Sequence, residues 1–341
     1  MLNYGLDVHK KYTTYCIMED DGRVIREGRC QNEDLPKVFS LKEGKRAVME
    51  AGQNWSYLYD LVEPLVDLLL LAHPQRVRAI ASARVKTDAI DARTLAHLLR
   101  ADLIPAAYVP PPAIRRRREL LRYRVDLVKQ RTAMKNRVHA LLAKVGEQPK
   151  VTDVFGREGR SWLGRLRPDA QKRYELDGYL RVLDCLQEQI DDVTQLIRQE
   201  AGRDPQAQLL MTIPGVAAIT ALTVLAEIGD VRRFPDACHL VSYAGFAPRV
   251  RSSGGKTNRG HITKQGPSAL RWVLIEAAHH AIRKPGRLQE LYTRLRRGKS
   301  KSVAITACAR ELLVAIYQML MRSEAYRDGS SPEGFLTPEV A

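Results

Sequence analysis

Leu2-Asn3-Tyr4-Gly5-Leu6-Asp7, Thr13-Thr14-Tyr15-Cys16-Ile17-Met18 and Val24-Ile25-Arg26-Glu27-Gly28-Arg29-Cys30 follow one another with short polar breaks, and their reading decides the fold. Each is strand-length, and the turn chemistry of Asp20-Asp21-Gly22 separates the second from the third, so the three predict a strand meander. Asp34 to Leu41 predicts a short helix, with Pro36 tolerable because it falls in the first turn. Arg46 to Met49 predicts a buried strand ending at Glu50, Trp55 to Val66 a helix on apolar spacing, and Asp67 to Ala72 a further strand before His73-Pro74. The order β-β-β-α-β-α-β-α passes from hairpins into α/β units and predicts a mixed sheet with helices over its faces. This first domain is expected to span 1–105 and to end before Pro110-Pro111-Pro112.

The next stretch, Val85-Lys86-Thr87-Asp88-Ala89-Ile90-Asp91-Ala92-Arg93, reads as a helix opening capped by Thr87 and carried on by Leu95, Ala96 and Leu98. Residues three apart share a helix face, so Asp88 and Asp91 present paired oxygens in one direction. Acids in a first turn also complement the helix dipole and need no catalytic reason. Asp7 and Glu50 each end a strand, and in an RNase H-like sheet these positions converge with the two aspartates. Four carboxylates there would repel one another unless divalent cations neutralised them. Hard oxygen ligands suit Mg²⁺ or Mn²⁺, and two such ions can clamp the attacking and leaving oxygens of a phosphodiester. On spacing alone, a metal site and a set of separate capping and surface acids both stay open. His9 shares the strand face of Asp7 and reads as a structural histidine, with contact to a phosphate or ligand as the alternative. Trp55 and Tyr57 read as packing residues.

The 341 residues carry 55 Lys and Arg against 39 Asp and Glu, a net charge of +16. A balance this basic points to a polyanionic partner, nucleic acid before membrane surface. The five cysteines (Cys16, Cys30, Cys185, Cys238, Cys308) form no CxxC pair, which argues against zinc fingers and disulfide frameworks and for a reducing cytoplasmic setting. No signal peptide fits a start that meets Asp7 at once, and the longest apolar run, Leu65 to Ala72, is interrupted by Asp67 and too short to span a bilayer.

Ile114 to Val145 predicts a long helix holding eleven Lys and Arg against two acids up to Lys144. Arg115, Arg116, Arg117, Arg118, Arg122, Lys129, Arg131 and Lys135 on it are candidate phosphate contacts. Beyond Pro168, Leu176, Tyr179, Leu183, Leu186, Ile190, Val193 and Ile197 step by threes and fours, the pattern of a coiled-coil seam. The two helices predict an antiparallel arm over 106–203, joined through the Trp162/Gly164 region, whose seam serves the chain itself or a second copy.

A helical C-terminal domain is expected over 204–328, with a flexible tail over 329–341. Ile213-Pro214-Gly215 between two helices reads as a helix-hairpin-helix, whose turn offers N–H groups to phosphate, or as a simple αα-hairpin. Between Arg249 and Arg271 lie six Lys and Arg, no acid and four glycines, the composition of a mobile or tightly turned loop. Arg249, Arg251, Lys256, Arg259 and Lys264 are its candidate nucleic-acid contacts. Helices are expected at Ser268 to Ile282, Arg287 to Arg296 and Ser302 to Met321. His279-His280 lies on one of them without companions at metal spacing.

Tyr4-Gly5-Leu6-Asp7-Val8-His9-Lys10, Val48-Met49-Glu50-Ala51-Gly52 and Lys86-Thr87-Asp88-Ala89-Ile90-Asp91-Ala92 together resemble the DEDD insertion-sequence transposases of the one-ten and eleven-eleven type. These are the bridge-RNA-guided serine recombinases, whose N-terminal domain is like the RuvC Holliday-junction resolvase. The resemblance continues through Ile213-Pro214-Gly215, Tyr243-Ala244-Gly245-Phe246-Ala247-Pro248-Arg249, Ser253-Gly254-Gly255 and Gly260-His261-Ile262-Thr263-Lys264-Gln265-Gly266, and so covers nearly the whole chain. It implies an α/β, RNase H-like (RuvC-like) mixed-sheet domain, a helical arm and a mostly helical transposase domain. It further implies metal binding by Asp7, Glu50, Asp88 and Asp91, with Mg²⁺ or Mn²⁺ as cofactor. Ser253 matches the serine that attacks the DNA phosphodiester, with Ser252 as its immediate neighbour. The implied partners are double-stranded donor and target DNA, a structured bridge RNA and further copies of the chain, a dimer assembling to a tetramer in which acids and serine come from different protomers. Two alternatives stay open: a RuvC-like junction endonuclease using water, and a nucleic-acid-binding protein without activity.

Overall fold

Three antiparallel strands open the chain: β1 (Leu2–Val8), β2 (Tyr12–Glu19) and β3 (Val24–Gln31). In the computed structural model, which describes residues 1–41, 44–52, 54–80, 87–253 and 256–327, two further strands lie parallel to β1. These are β4 (Lys45–Glu50) and β5 (Leu68–Ala72), and the sheet order is β3-β2-β1-β4-β5. The mixed sheet agrees with the expected RNase H-like class. A register shift interrupts the β2–β3 ladder between Ile17 and Met18. The chain divides into two compact units, Met1–Pro110 and Pro111–Ala341. Residues beyond 105 still belong to the first, since Ala107 N–H donates to the Leu71 carbonyl at 2.7 Å and Val109 packs on its core.

Among the described residues, four α-helices accompany this sheet: α1 (Leu35–Val38), α2 (Trp55–Val62), α3 (Pro74–Ile80) and α4 (Asp88–Arg100). Alternation along the strands sorts the side chains to two faces. Tyr4, Leu6, Tyr15, Ile17 and Met49 pack with Leu35, Leu58 and Val62 of α1 and α2. On the other face Val48 meets Leu95, Leu98 and Leu99 of α4, while Cys16 and Met18 meet Ala92 and Ala96. Gly5 lies beneath α4 on that face, and a Cβ there would stand 2.0 Å from the Ala92 carbonyl oxygen. Small residues on both sides bring helix and strand this close. Trp55 packs on the first core as expected, whereas Tyr57 is exposed.

The second unit contains α5 (Pro112–Lys144), α6 (Arg157–Arg165), α7 (Ala170–Arg203), α8 (Pro205–Met211), α9 (Ala218–Ile228) and α10 (Ala237–Tyr243). A ribbon of β6 (Pro248–Ser253) and β7 (Lys256–Ile262) follows, then α11 (Ser268–Ala281), α12 (Arg287–Arg296) and α13 (Lys301–Arg322). α5 and α7 run antiparallel: Arg117 bonds Glu200, Arg124 bonds Thr194 and Arg131 bonds Gln187. Leu176 and Leu183 pack with Val138, Leu141 and Leu142 of α5, and Leu186, Ile190, Val193 and Ile197 pack with Leu121, Leu127 and the C-terminal helices. The heptad seam is therefore consumed inside the chain. Of the two expected readings, the packing is that of a seam serving the chain itself.

The span between Arg249 and Arg271, expected as a loop, instead opens with the β6–β7 ribbon, paired through Ser252↔Thr257 and Ser253↔Lys256. Gly215 (φ 87°) makes the turn between α8 and α9, and a Cβ there would lie 2.9 Å from the Ala277 carbonyl of α11. Among the described residues, α13 is the one helix long and apolar enough to cross a membrane by length and composition. It is the core helix of the second unit, with Ile305, Cys308, Leu312, Leu313, Ile316 and Leu320 buried. Arg310 and Glu311 interrupt its apolar run in the sequence.

Candidate active site

β1 carries Asp7 as its penultimate residue, two positions past Gly5 and on the same face, which α4 covers. Thr87 caps α4 by accepting the Ile90 N–H at 3.3 Å, which fixes the first turn holding Asp88 and Asp91. Helix and strand thus bring Asp88 to Asp7 through the close contact at Gly5. His9, just beyond β1, completes the group. Its Nε2 lies 3.0 Å from Asp7 Oδ2 and 3.3 Å from Asp88 Oδ2. One ligand atom from each of Asp7, His9 and Asp88 falls within 4.8 Å of the others, a spacing that a single cation can bridge. His9 is the residue that sequence reasoning underweighted, and its two-residue offset from Asp7 on one strand was the signal.

The electrostatics agree with a cation site. Burial pushes the Asp7 carboxyl above its usual range; His9 pulls it back, and the charges of Asp88 and Asp91 push it up again. Two carboxylates no farther apart than this repel by at least about 3.5 kcal/mol at an effective dielectric near 20. One cationic and one neutral donor offset part of that repulsion. Arg29 Nη2 donates to Asp88 Oδ2 at 3.1 Å, and Tyr12 Oη donates to the same oxygen at 3.2 Å. The Arg29 guanidinium also lies over the Tyr12 ring, 4.2 Å from its centroid. The donor set of two carboxylates and one imidazole fits a divalent ion, and the imidazole makes Mn²⁺ as suitable as Mg²⁺.

The four expected acids are not equivalent. Asp7 and Asp88 share the cluster, and Asp91 acts on Asp7 through its charge. Glu50 ends β4, two positions past Val48 on the α4 face and one past the last β1–β4 pair, Leu6↔Met49, but lies outside the three-residue group.

The basic candidates divide as well. Arg115 is buried; Arg117 pairs with Glu200 at 2.6 Å and Asp204 at 2.8 Å. Arg118 donates to the Ala226 and Glu227 carbonyls that end α9, at 2.7 and 3.1 Å. Arg122 stands 3.6 Å from the buried Glu227 carboxylate, and Arg131 donates to Gln187. These groups tie α5 to its neighbours. Arg116 is exposed; Lys129 is exposed with Asp126 as partner, and Lys135 lies over the Phe155 ring. In the ribbon, Arg249 is exposed and its Nη2 reaches the Thr263 carbonyl at 3.5 Å; Lys264, just past β7, is exposed with φ 56°. Ser253 is the last residue of β6 and Ser252 the one before it; their side chains, with those of Arg251, Lys256 and Arg259, lie outside the described residues.

Residues 4–146 match a transposase family of the DEDD, IS110 type, and residues 207–293 match the family described as Transposase IS116/IS110/IS902. The chain belongs to this transposase family. Both units carry a match, and the cluster of Asp7, His9 and Asp88 lies in the DEDD segment. Among similar proteins, the transposase for insertion sequence element IS1111A of Coxiella burnetii is 28% identical over 96% of this chain and 91% of its own length. The transposase for insertion sequence element IS1328 of Yersinia enterocolitica is 27% identical over 80% and 82% respectively. A pilin gene-inverting protein of Moraxella bovis is 32% identical over 46% of this chain and 49% of its own length. As a member of this family the chain is a DNA transposase/recombinase, and its DEDD domain points to use of a divalent metal.

Proposed function

We propose that this transposase cuts and rejoins DNA through a serine nucleophile, with Mg²⁺ or Mn²⁺ held by Asp7, Glu50, Asp88 and Asp91 and with His9 as a further member of that group. The observation that carries the metal part is the approach of Asp7, Asp88 and His9 within 4.8 Å, in a setting where burial and like charge disfavour an ionised Asp7. A bound divalent ion supplies positive charge to the phosphate oxygens of the scissile bond. The chain's own residues do the rest. Asp88 is oriented by Tyr12 and Arg29, and His9 holds Asp7.

In the serine step, the Ser253 hydroxyl oxygen forms a bond to phosphorus and gives up its proton, while the bond from phosphorus to one deoxyribose oxygen breaks and that oxygen takes up a proton to leave as a free hydroxyl. A serine hydroxyl is a weak nucleophile at neutral pH and needs a base or cationic surroundings. The basic sequence of β6 and β7 provides charge for the phosphorane transition state. A phosphoserine link retains the energy of the phosphodiester for rejoining, which a nuclease using water discards. We assign the choice of DNA site to a guide RNA, and the working form to a homo-oligomer, on the family resemblance.

Trapping on a nicked DNA substrate tests this reading. The wild type and Ser252→Ala are expected to form a covalent protein–DNA adduct, and Ser253→Ala none. Cleavage without any adduct would replace the serine mechanism with hydrolysis by water. Retention of recombination in Asp7→Ala would remove the metal site from the reaction.

A further inference from the structure

Asp7, Thr14 and Arg29 form one row across β1, β2 and β3, through the pairs Asp7↔Thr14 and Thr14↔Arg29. Directly opposed residues project to the same sheet face, here the face that carries Cys16 against α4. Beside this row opens a cleft of about 650 Å³ whose lining includes Thr14, Glu27, Arg29, Thr87, Asp88 and Ala89.

Its polar groups are arranged for an anion. Thr14 is 6% exposed, and its hydroxyl has no hydrogen-bond partner among the described residues. The first turn of α4 forms one wall, and the N–H groups of a first turn have no acceptor within their helix and favour negative charge. Arg29 reaches in from β3 with more than half its side chain exposed, held over Tyr12 and bonded to Asp88 Oδ2 at 3.1 Å through one of its nitrogens. The one acid that is not part of the metal group, Glu27, is engaged by Arg93 through two bonds of 2.6 Å.

We propose that this cleft is a DNA-backbone subsite. It takes a phosphate of the DNA strand that flanks the reacting one, with Arg29, the Thr14 hydroxyl and the Asp88 and Ala89 amides as donors, the Ile90 amide being held by Thr87. The assignment rests on the acids being the site of DNA cleavage. DNA is favoured over a free phosphate because the cleft is far larger than one ion needs and runs directly to Asp88. Its size is that of pockets that take ligands of nucleotide dimensions.

The test uses the full chain in EDTA, with fluorescence anisotropy on a short labelled DNA duplex over a range of salt concentrations. Arg29→Gln is expected to bind about tenfold more weakly and to lower the log–log salt slope by about 0.9, the signature of one lost phosphate contact. Arg29→Lys is expected to restore the slope. Thr14→Val removes a hydroxyl without changing charge, so it weakens binding about 2–10-fold at unchanged slope. Arg23→Gln, which neutralises an exposed arginine paired with Glu19 near the other end of β2, serves as control and is expected to match the wild type.

Equal slope loss in Arg29→Gln and Arg23→Gln would reduce the effect to overall charge and overturn the subsite. Wild-type binding by Arg29→Gln would overturn it too. An effect confined to an RNA duplex would overturn the DNA assignment. Metal-dependent strand exchange by the wild type is measured in parallel. Its absence would sink the cleavage reading, while the slope loss would still support a phosphate subsite.

Discussion

Replacing Gly5 with alanine adds one methyl group at the tightest contact between sheet and helix in the first unit. Its Cβ would lie 2.0 Å from the Ala92 carbonyl oxygen, 2.5 Å from the Ala96 nitrogen and 3.1 Å from the Ala96 Cβ, and two of these three atoms are backbone. Ordinary contact begins near 3.4 Å, so α4 must lift from β1 by about 1.4 Å. Gly5 does not have a positive φ, and the gain in backbone entropy alone would make alanine stabilising by about 0.4–1 kcal/mol. Overpacking of a fitted contact costs about 1–3 kcal/mol and reverses that sign. The first unit is therefore expected to melt on the order of 10 °C lower.

The second consequence is chemical. Asp88 and Asp91 ride on the first turn of α4, so the same displacement opens a group whose ligand atoms now lie within 4.8 Å. A misplacement of about 1 Å in a catalytic group can cost on the order of 100-fold in rate. Circular dichroism melts, Mn²⁺ titration calorimetry and strand-exchange assays on Gly5→Ala measure all three effects. A variant that melts with the wild type and binds Mn²⁺ equally would refute the seating of α4 described above.

Three other outcomes are expected. Asp7→Asn removes a carboxyl that the fold holds above its ordinary range, mainly through burial. The folded chain keeps that proton to higher pH than the unfolded chain, so the wild type loses stability as pH rises above about 3.9. In EDTA the variant is expected to melt above the wild type at neutral pH, with the gap closing in acid, and to lose the rise in Tm that Mn²⁺ gives the wild type. In the second unit, Arg118→Ala strips the end of α9 of two donors and leaves Glu227 buried. It is expected to cost about 3 kcal/mol in urea unfolding, while the exposed Arg116→Ala stays within about 0.5 kcal/mol. In native thiol labelling, exposed Cys185 and Cys238 are expected to react. Cys16 and Cys308, pushed up by burial to about 12 and about 11, should react only after unfolding.

Much of the first unit was legible because its strands advertise themselves. Leu2 to Asp7, Thr13 to Met18 and Asp67 to Ala72 are apolar runs between turn formers, and each appears as a strand within a residue or two of its expected ends. Asp88 and Asp91 were legible from helical spacing and the Thr87 cap. The β6–β7 ribbon was not, because Arg249 to Ile262 has no apolar alternation and its glycines read as loop. The role of Arg117 and Arg118 was hidden for a related reason. Sequence shows how many cations a helix carries but not which of them face acceptors that lie more than 80 residues away, such as Glu200 and the Ala226 carbonyl. His9 shows the limit from the other side, since one strand offset cannot tell a packed histidine from a ligand until α4 brings Asp88 to it.

The irregularity in the β2–β3 ladder separates two mechanical zones. The row Asp7, Thr14 and Arg29 lies on one side of it and the Asp20-Asp21-Gly22 turn on the other. A one-residue insertion or deletion in a regular hairpin would slide every pair and turn Arg29 to the opposite face. Here the mismatch can be absorbed between Ile17 and Met18 before it reaches the row. The Asp21-Gly22 tip of the turn is accordingly a place where the chain can change length, or accept a grafted peptide tag, with the acid cluster left in register, whereas Asp20 is tied to Asn3 and Arg100.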